Sequence, residues 1–350
     1  MTLYENSLYQ QDIKSVLKIN LNYSKLKNAK ILITGATGLI GTVLVDMLDF
    51  LNSTYKLNLS LDLISRNKIS AQNHFEHITN TSLSIIEQNM QNPFEINKHY
   101  DFIIHGASNT HPVLYANDPV GTFTTNLFGT YYLLELAKNN PGCRFVLLSS
   151  VEIYGEDNTD NKKGFSETDF GYLDCNTVRA NYCEGKRASE SLCQAYKSQY
   201  GIDIVIPRLC RSYGPTLKKD DSKALSQFLR NAINGENIVL KSEGNQFYSY
   251  LYVSDIATGI LFCMLNGENG EAYNIADKNS DITLKDLSQI IAQKSNTKVC
   301  FELPDSVEQK GFSKATKAIL NSDKIEKLGW KAKYSIEEGI ERTLMMLKTS

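Results

Sequence analysis

The sequence predicts an α/β fold: a doubly wound, mostly parallel sheet with a smaller, interleaved C-terminal α/β lobe. Three observations carry this. Apolar, strand-like runs ("KILIT", "LDLIS", "SIIEQ", "DFIIHGAS", "RFVLLSS", "IDIVIPRL") alternate with stretches long enough for helices, the rhythm of a parallel sheet covered on both faces. The first run passes directly into the glycine-rich turn "GATGLIG". Beyond about Pro215 the rhythm weakens into mixed elements, which marks the second lobe.

Residues 1–29 read as a polar, partly helical lead-in whose apolar stripe, Ile13, Val16, Leu17 and Ile19, predicts packing onto the main body. The first unit then covers residues 30–214, with helices expected over Gly38–Leu51, Val120–Lys138 and Arg179–Tyr200. A long polar loop, Gly155–Thr177, interrupts it. The second lobe, 215–350, holds a helix at Leu225–Gly235, the runs "NIVL", "EAYNIA" and "TLKDLSQIIAQK", and a last helix near Ile336–Leu347. The stretch 247–265 is expected to return to the first unit. No internal repeat or low-complexity tract is present.

Composition narrows the functional classes. With 350 residues, 42% of them hydrophobic, the chain can bury a large core. Its 37 basic and 39 acidic residues give a net charge of −2, which offers no general attraction for nucleic acid or anionic lipid. No apolar run approaches the roughly 20 residues of a membrane span, and "MTLYENSLYQQDIKSVLKI" lacks an apolar signal core, so a cytoplasmic location is expected. The seven cysteines are scattered without a C-x-x-C pair, and neither a metal site nor a disulfide framework is expected.

Gly35, Gly38 and Gly41 follow a strand and open a helix with the spacing G-x-x-G-x-x-G. Such a turn lets backbone N–H groups approach a pyrophosphate, and the third glycine allows close helix–strand packing. Thr37, Leu39 and Ile40 lie in the same loop and Ala107 in a second one, so all are candidate cofactor contacts with the glycines. Cofactor type is read at the end of the second strand, where a carboxylate would bind the ribose 2′-hydroxyl of NAD(H). Ser65 and Arg66 stand there, and a guanidinium suits a 2′-phosphate. NADP(H) is therefore favoured, with NAD(H) the alternative if Arg66 is only a solvated loop residue and Asp62 does the work.

Tyr182 and Lys186 are four residues apart on an expected helix and so share a face. A nearby ammonium lowers a phenol's pKa and makes the tyrosine a usable acid/base. The pair alone is a frequent accident. "LLSSVEIYG" strengthens it, because Ser150 falls at the C-terminal end of a strand, where open parallel sheets place their sites. Strand alternation puts Glu152 on the same side as Ser150. His105 reads as a packed strand-end residue.

In this order, "TGATGLIG", "HGAS", "LLSSVEIYG", "YCEGK" and "PRLCRSYGP" resemble the extended short-chain dehydrogenase/reductase family of nucleotide-sugar epimerases and dehydratases, over roughly residues 30–350. "YCEGKRASE" and Glu152 are most similar to the UDP-glucuronate decarboxylase branch. The resemblance implies a Rossmann domain carrying the dinucleotide and a C-terminal lobe holding a nucleoside-diphosphate sugar. It implies Tyr182 as acid/base, Lys186 as its partner and ribose ligand, and Ser150 as donor to the substrate oxygen. It also implies Ser108, Glu152, Arg211 and Tyr248 on the substrate, and Asn89 on the adenine side. Helices beginning near Val120 and Arg179 resemble those of a four-helix dimer interface, with Leu127, Tyr131, Leu134, Leu192 and Tyr196 as its apolar contacts.

Three departures stand out: Ser65 and Arg66 stand where the branch has an acidic residue at the end of the second strand, Arg211 replaces its asparagine, and Tyr248 replaces its arginine before "YVSD". Arg211 either meets a substrate diphosphate from a new direction or forms an internal salt bridge. The leading expectation is an NADP(H)-dependent oxidoreductase acting on a nucleotide-linked sugar, for example reducing a ketose to a polyol for surface polysaccharide. The alternative is a redox-neutral epimerase or decarboxylase that retains NAD. A non-catalytic nucleotide-binding regulator would not need Ser150, Tyr182 and Lys186 together.

Overall fold

A computed structural model describes residues 2–110, 116–156, 164–218, 220–302 and 316–349; residues 157–163 of the long polar loop lie outside them. The lead-in forms helix α1 (Ser7–Lys14), capped by the Asn6 side chain, which accepts the Leu8 N–H. It buries Tyr9, Asp12 and Ile13, and Val16 follows in a tighter 3₁₀ turn over Ser15–Lys18. That turn has about three residues per turn and shifts the phase of the stripe. Leu17 is consequently exposed, whereas Ile13 and Val16 are buried.

Eight parallel strands build the large sheet: β1 (Lys30–Thr34), β2 (Ser60–Ser65), β3 (Ser82–Glu87), β4 (Phe102–His105), β5 (Arg144–Leu147), β6 (Ser149–Ser150), β7 (Asp203–Leu209) and β11 (Glu271–Ile275). Their order is β11-β7-β5-β4-β1-β2-β3, with β6 extending the β5 edge along β7. The order of winding reverses between the parallel neighbours β1 and β4, the crevice where open sheets of this kind bind ligands. Helices α2 (Leu39–Tyr55), α3 (Lys68–His74), α4 (Pro119–Lys138) and α5 (Ala180–Tyr200) flank the sheet. Central strands such as β4 are buried throughout because helices cover both faces.

The remainder carries α6 (Ala224–Ile233) and two small sheets. One joins β8 (Arg211–Tyr213), β10 (Phe247–Tyr252), β12 (Asp281–Thr283) and β14 (Lys317–Ala318); the other pairs β9 (Ile238–Leu240) with β13 (Val299–Phe301). The stretch 247–265 divides between the layers. Strand β10 joins the small sheet, whereas α7 (Val253–Asn266), buried on every side from Val253 to Leu265, packs on α2 against the large one. Helices α8 (Leu284–Ser295), α9 (Asp323–Leu328) and α10 (Ile336–Leu347) complete the chain, and Ser335 opens α10 with a capping box closed by Glu338. Among the described residues, no helix is long and apolar enough to cross a membrane.

Candidate active site

The glycine turn leaves β1 at its C-terminal end. Gly35 has φ of +73°, and a Cβ there would sit 2.7 Å from the Gly106 carbonyl, so only glycine lets the two loops close on each other. A Cβ on Gly41 would lie 2.3 Å from the Gly35 carbonyl oxygen. Gly38 caps α2 in extended conformation. Thr37, Gly38, Leu39 and Ile40 are half-buried along the rim. Opposite them, Thr34 Oγ1 accepts the Gly106 and Ala107 N–H groups at 3.2 and 3.0 Å and contacts His105 Nδ1 at 2.8 Å. His105 is thus a strand-end anchor, its pKa pushed down to about 3 by burial and by Lys186. Ser108 turns its hydroxyl to the Asn109 carbonyl in the same loop.

One strand over, the sheet ends at Ser150. The strand does not continue: Val151–Tyr154 form a 3₁₀ turn that Ser150 caps by accepting the Glu152 N–H at 3.2 Å. Turn geometry, not strand alternation, therefore brings Glu152 to the site. Tyr182, buried near the start of α5, shares a hydrogen bond with Ser150. Burial pushes its phenol well above the usual tyrosine range, the Ser150 bond offsets part of this, and the Glu152 charge adds to it. Lys186 is buried and donates to the Leu148 carbonyl at 2.8 Å. Burial lowers its pKa to about 8 against the opposing charge of Glu190. Glu152 and then Cys183 add to the rise and Arg179 opposes it, so the net shift at Tyr182 is upward, opposite in sign to the lowering expected from a neighbouring ammonium.

Glu152 is held between two guanidinium groups, Arg179 Nη2 at 3.0 Å and Arg211 Nη2 at 3.2 Å. Burial pushes its carboxyl up, but Arg211 and Arg179 outweigh it and keep the pKa below the usual range. Arg211 also lies over the Tyr248 ring, 3.4 Å from its centroid. Two of the three departures in the sequence therefore meet: Tyr248 opens a flat face where Arg211 stacks, and Arg211 takes the internal ion pair. Its Nη1 is buried without a hydrogen-bond partner.

Behind this front runs a buried polar layer that sequence reasoning missed. Ser149 donates to Glu190, Arg208 clamps Glu190 with Nη2 at 2.7 Å, and Arg208 Nη1 reaches the Tyr154 hydroxyl at 2.9 Å. Tyr154 continues to Asn274 Oδ1 at 2.7 Å. This layer fixes both ends of the turn that carries Glu152. Its one legible signal was Glu190 at i+4 from Lys186 on α5.

At the end of β2, Arg66 is exposed and the Ser65 hydroxyl is turned to the Asn67 carbonyl at 3.1 Å. Asp62 is occupied below, accepting from Lys98 Nζ and the Tyr100 hydroxyl at 2.7 and 2.6 Å, which withdraws it as a ribose ligand. Asn89 is exposed and its Oδ1 accepts the Gln91 N–H.

A model of the NAD dependent epimerase/dehydratase family matches residues 31–276. UDP-glucuronic acid decarboxylase 3 of Arabidopsis thaliana is 31% identical over 319 residues, covering 89% of this chain and 87% of the relative. The chain belongs to the NAD dependent epimerase/dehydratase family. A UDP-glucuronic acid decarboxylase 1 of Xenopus tropicalis is 26% identical, with 92% and 72% covered. Among solved structures, the fold of this family enzyme matches UDP-glucuronic acid 4-epimerase from Bacillus cereus, in complex with UDP-glucuronic acid and NAD (TM-score 0.76, 21% identity, 91% and 99% covered). It also matches dTDP-glucose 4,6-dehydratase from Bacillus anthracis in complex with NAD (TM-score 0.74, 20% identity, 92% and 97% covered).

In this member of the epimerase/dehydratase family the helices named for a dimer face are partly spent inside. Leu134 and Tyr196 are buried within the chain itself, and the Tyr196 hydroxyl is bonded to Glu135, because the helices' apolar stripes face the sheet. Leu127 and Leu192 are half-buried, and of the five only Tyr131 is exposed. The outer apolar residues include instead Val120, Phe128 and Tyr131 on α4 and Tyr200 on α5, and a cavity of about 370 Å³ lined by Val120, Phe123 and Val178 opens at the start of the two helices.

Proposed function

We propose that the protein converts a nucleoside-diphosphate sugar in a redox-neutral cycle, as an epimerase or decarboxylase that retains NAD(H). The observation that carries this is the meeting of Ser150, Tyr182 and a doubly paired Glu152 at the sheet's C-terminal edge. The glycine cradle fits a dinucleotide pyrophosphate, since side chains are excluded where Gly35 approaches Gly106 and where Gly41 approaches Gly35. When bound, the nicotinamide supplies a hydride acceptor and, later in the cycle, a hydride donor.

The chain's own residues do the rest. Tyr182 removes the proton of a sugar hydroxyl and returns it, with Ser150 holding the same oxygen. Lys186 would hold the ribose when the dinucleotide is bound, and its ammonium would then favour the phenolate. Glu152, fixed as a carboxylate, serves the carbon-side proton chemistry, with Arg179 and Arg211 balancing its charge. The large sheet carries the cofactor, and the small sheets, through Arg211 and Tyr248, carry the sugar nucleotide. UDP-glucuronic acid is the first substrate to try, given the decarboxylases that the chain resembles over most of its length.

The test is incubation with a panel of UDP- and dTDP-linked sugars, following nicotinamide absorbance and product mass. Loss of carbon dioxide or a stereochemical change without net cofactor turnover is expected. Stoichiometric NADPH consumption would instead favour the reductase to which Ser65 and Arg66 point. We further propose a homodimer through the exposed Val120, Phe128 and Tyr131 face; sedimentation should give twice the monomer mass, and Tyr131→Glu should shift it towards the monomer.

A further inference from the structure

The loop after β2 is where a 2′-phosphate would have to be held, and three of its backbone donors are already engaged. Asn67 N–H donates to Ser65 Oγ at 3.3 Å, Ser70 N–H to Asn67 Oδ1 at 2.9 Å, and Lys68 N–H to Glu87 Oε2 at 3.0 Å. The last of these acceptors comes from another strand. Glu87 is the final residue of β3, and the parallel register sets it directly beside Ser65. An anion is therefore already present at this edge, and it belongs to the protein.

A 2′-phosphate needs N–H donors and cations around it. Here Arg66, Lys68 and Glu87 are all exposed and equally open to screening, but the Glu87 carboxylate is held at the loop by the Lys68 N–H, the donor that a 2′-phosphate would use. The acid absent from the end of β2 has been supplied from one strand further out. We infer that Glu87 sets the dinucleotide preference: its carboxylate takes the loop N–H that a 2′-phosphate would use, repels that phosphate, and leaves NAD(H) as the preferred cofactor. The inference rests on the dinucleotide site proposed above and deepens it. It also explains how Ser65 and Arg66 can stand at the end of β2 in a chain whose fold matches NAD complexes.

Calorimetric titration of the full chain with NAD⁺ and NADP⁺ tests it, independently of turnover. The wild type should bind NAD⁺ at least about tenfold more tightly. Glu87→Gln should shrink that ratio about tenfold, chiefly by tightening NADP⁺, while NAD⁺ stays within about threefold. Glu87→Asp, which keeps the charge, should hold most of the preference. In the unmodified protein the ratio should narrow with added salt, since charge repulsion carries it. Tighter NADP⁺ in the wild type, or a ratio unchanged in Glu87→Gln and insensitive to salt, overturns the inference alone. Failure to bind either dinucleotide overturns it together with the cofactor site, and leaves the nucleotide-sugar assay to judge the rest.

Discussion

At Tyr182 burial dominates: the phenol, bonded to Ser150, is pushed well above the usual tyrosine range, so the acid/base role proposed for it requires that bound substrate and cofactor offset the burial. Tyr182→Phe should keep the fold, by circular dichroism, and lower turnover about a hundredfold or more. Near-wild-type turnover would remove Tyr182 from the chemistry. Lys186 provides a pH test. Its pKa is lowered to about 8 by burial, so the ammonium is present below that pH and lost as pH rises through it. Dinucleotide affinity should therefore weaken across about pH 8. Glu190→Gln should move that midpoint to lower pH, because the Glu190 charge is what favours the ammonium. A profile that is flat to high pH would show that Lys186 does not hold the cofactor.

Helix α5 and strand β7 are tied by the buried Arg208–Glu190 pair, which also reaches Ser149 and Tyr154. Removing one member leaves the other charge uncompensated in the interior, at a cost of about 3–5 kcal/mol. Arg208→Met should lower urea-unfolding stability by that amount, and adding Glu190→Leu should restore much of it. Turnover should not recover in the double variant, because the turn that carries Glu152 loses its backing. Equal stability of the single and double variants would show that the pair is not coupled. Element boundaries near the site were mostly legible: Lys138 and Tyr200 close α4 and α5 where the helical pattern stops, and Gly201, with φ of +71°, ends α5. The 3₁₀ turn at Val151 was not legible, because "SSVEIYG" alternates as a strand would.

The first and last helices are joined across the molecule by one acidic cluster. Asp12 on α1 accepts from the Tyr252 hydroxyl at 2.5 Å and from Arg342 Nε of α10 at 2.9 Å. Nearby, Asp255 accepts the Tyr334 N–H at 2.9 Å, and burial raises its pKa to about 7 against those backbone bonds and Lys333, with Asp12 adding to the rise. A raised folded pKa means that the folded state holds this proton more tightly than the unfolded one. The Asp255 contribution is therefore complete below its ordinary pKa near 4 and is lost as pH rises towards 7. Asp255→Asn keeps an acceptor for Tyr334 and removes the charge. It should raise Tm at pH 8 by several degrees relative to wild type, and by much less at pH 4. An equal shift at both pH values would exclude Asp255 as the source.

The sequence by itself determined the doubly wound sheet, the glycine turn and the partnership of Ser150 with Tyr182. Each depends on local periodicity or on motifs within a few residues, and hydrophobic alternation, glycine spacing and i,i+4 placement are local facts. Tertiary structure alone decided what depends on register and on pairs far apart in the chain. Arg211 turned to Glu152 and Tyr248 because β8 and β10 run side by side, setting Tyr250 opposite Arg211. Asp62 was withdrawn by Lys98 and Tyr100, residues contributed by the segment leading into β4. Glu87 reached the β2 loop because parallel pairing set it opposite Ser65, 22 positions away in sequence. Side chains carry charge and shape in the sequence, but which charge faces which is settled only when strands are laid next to one another.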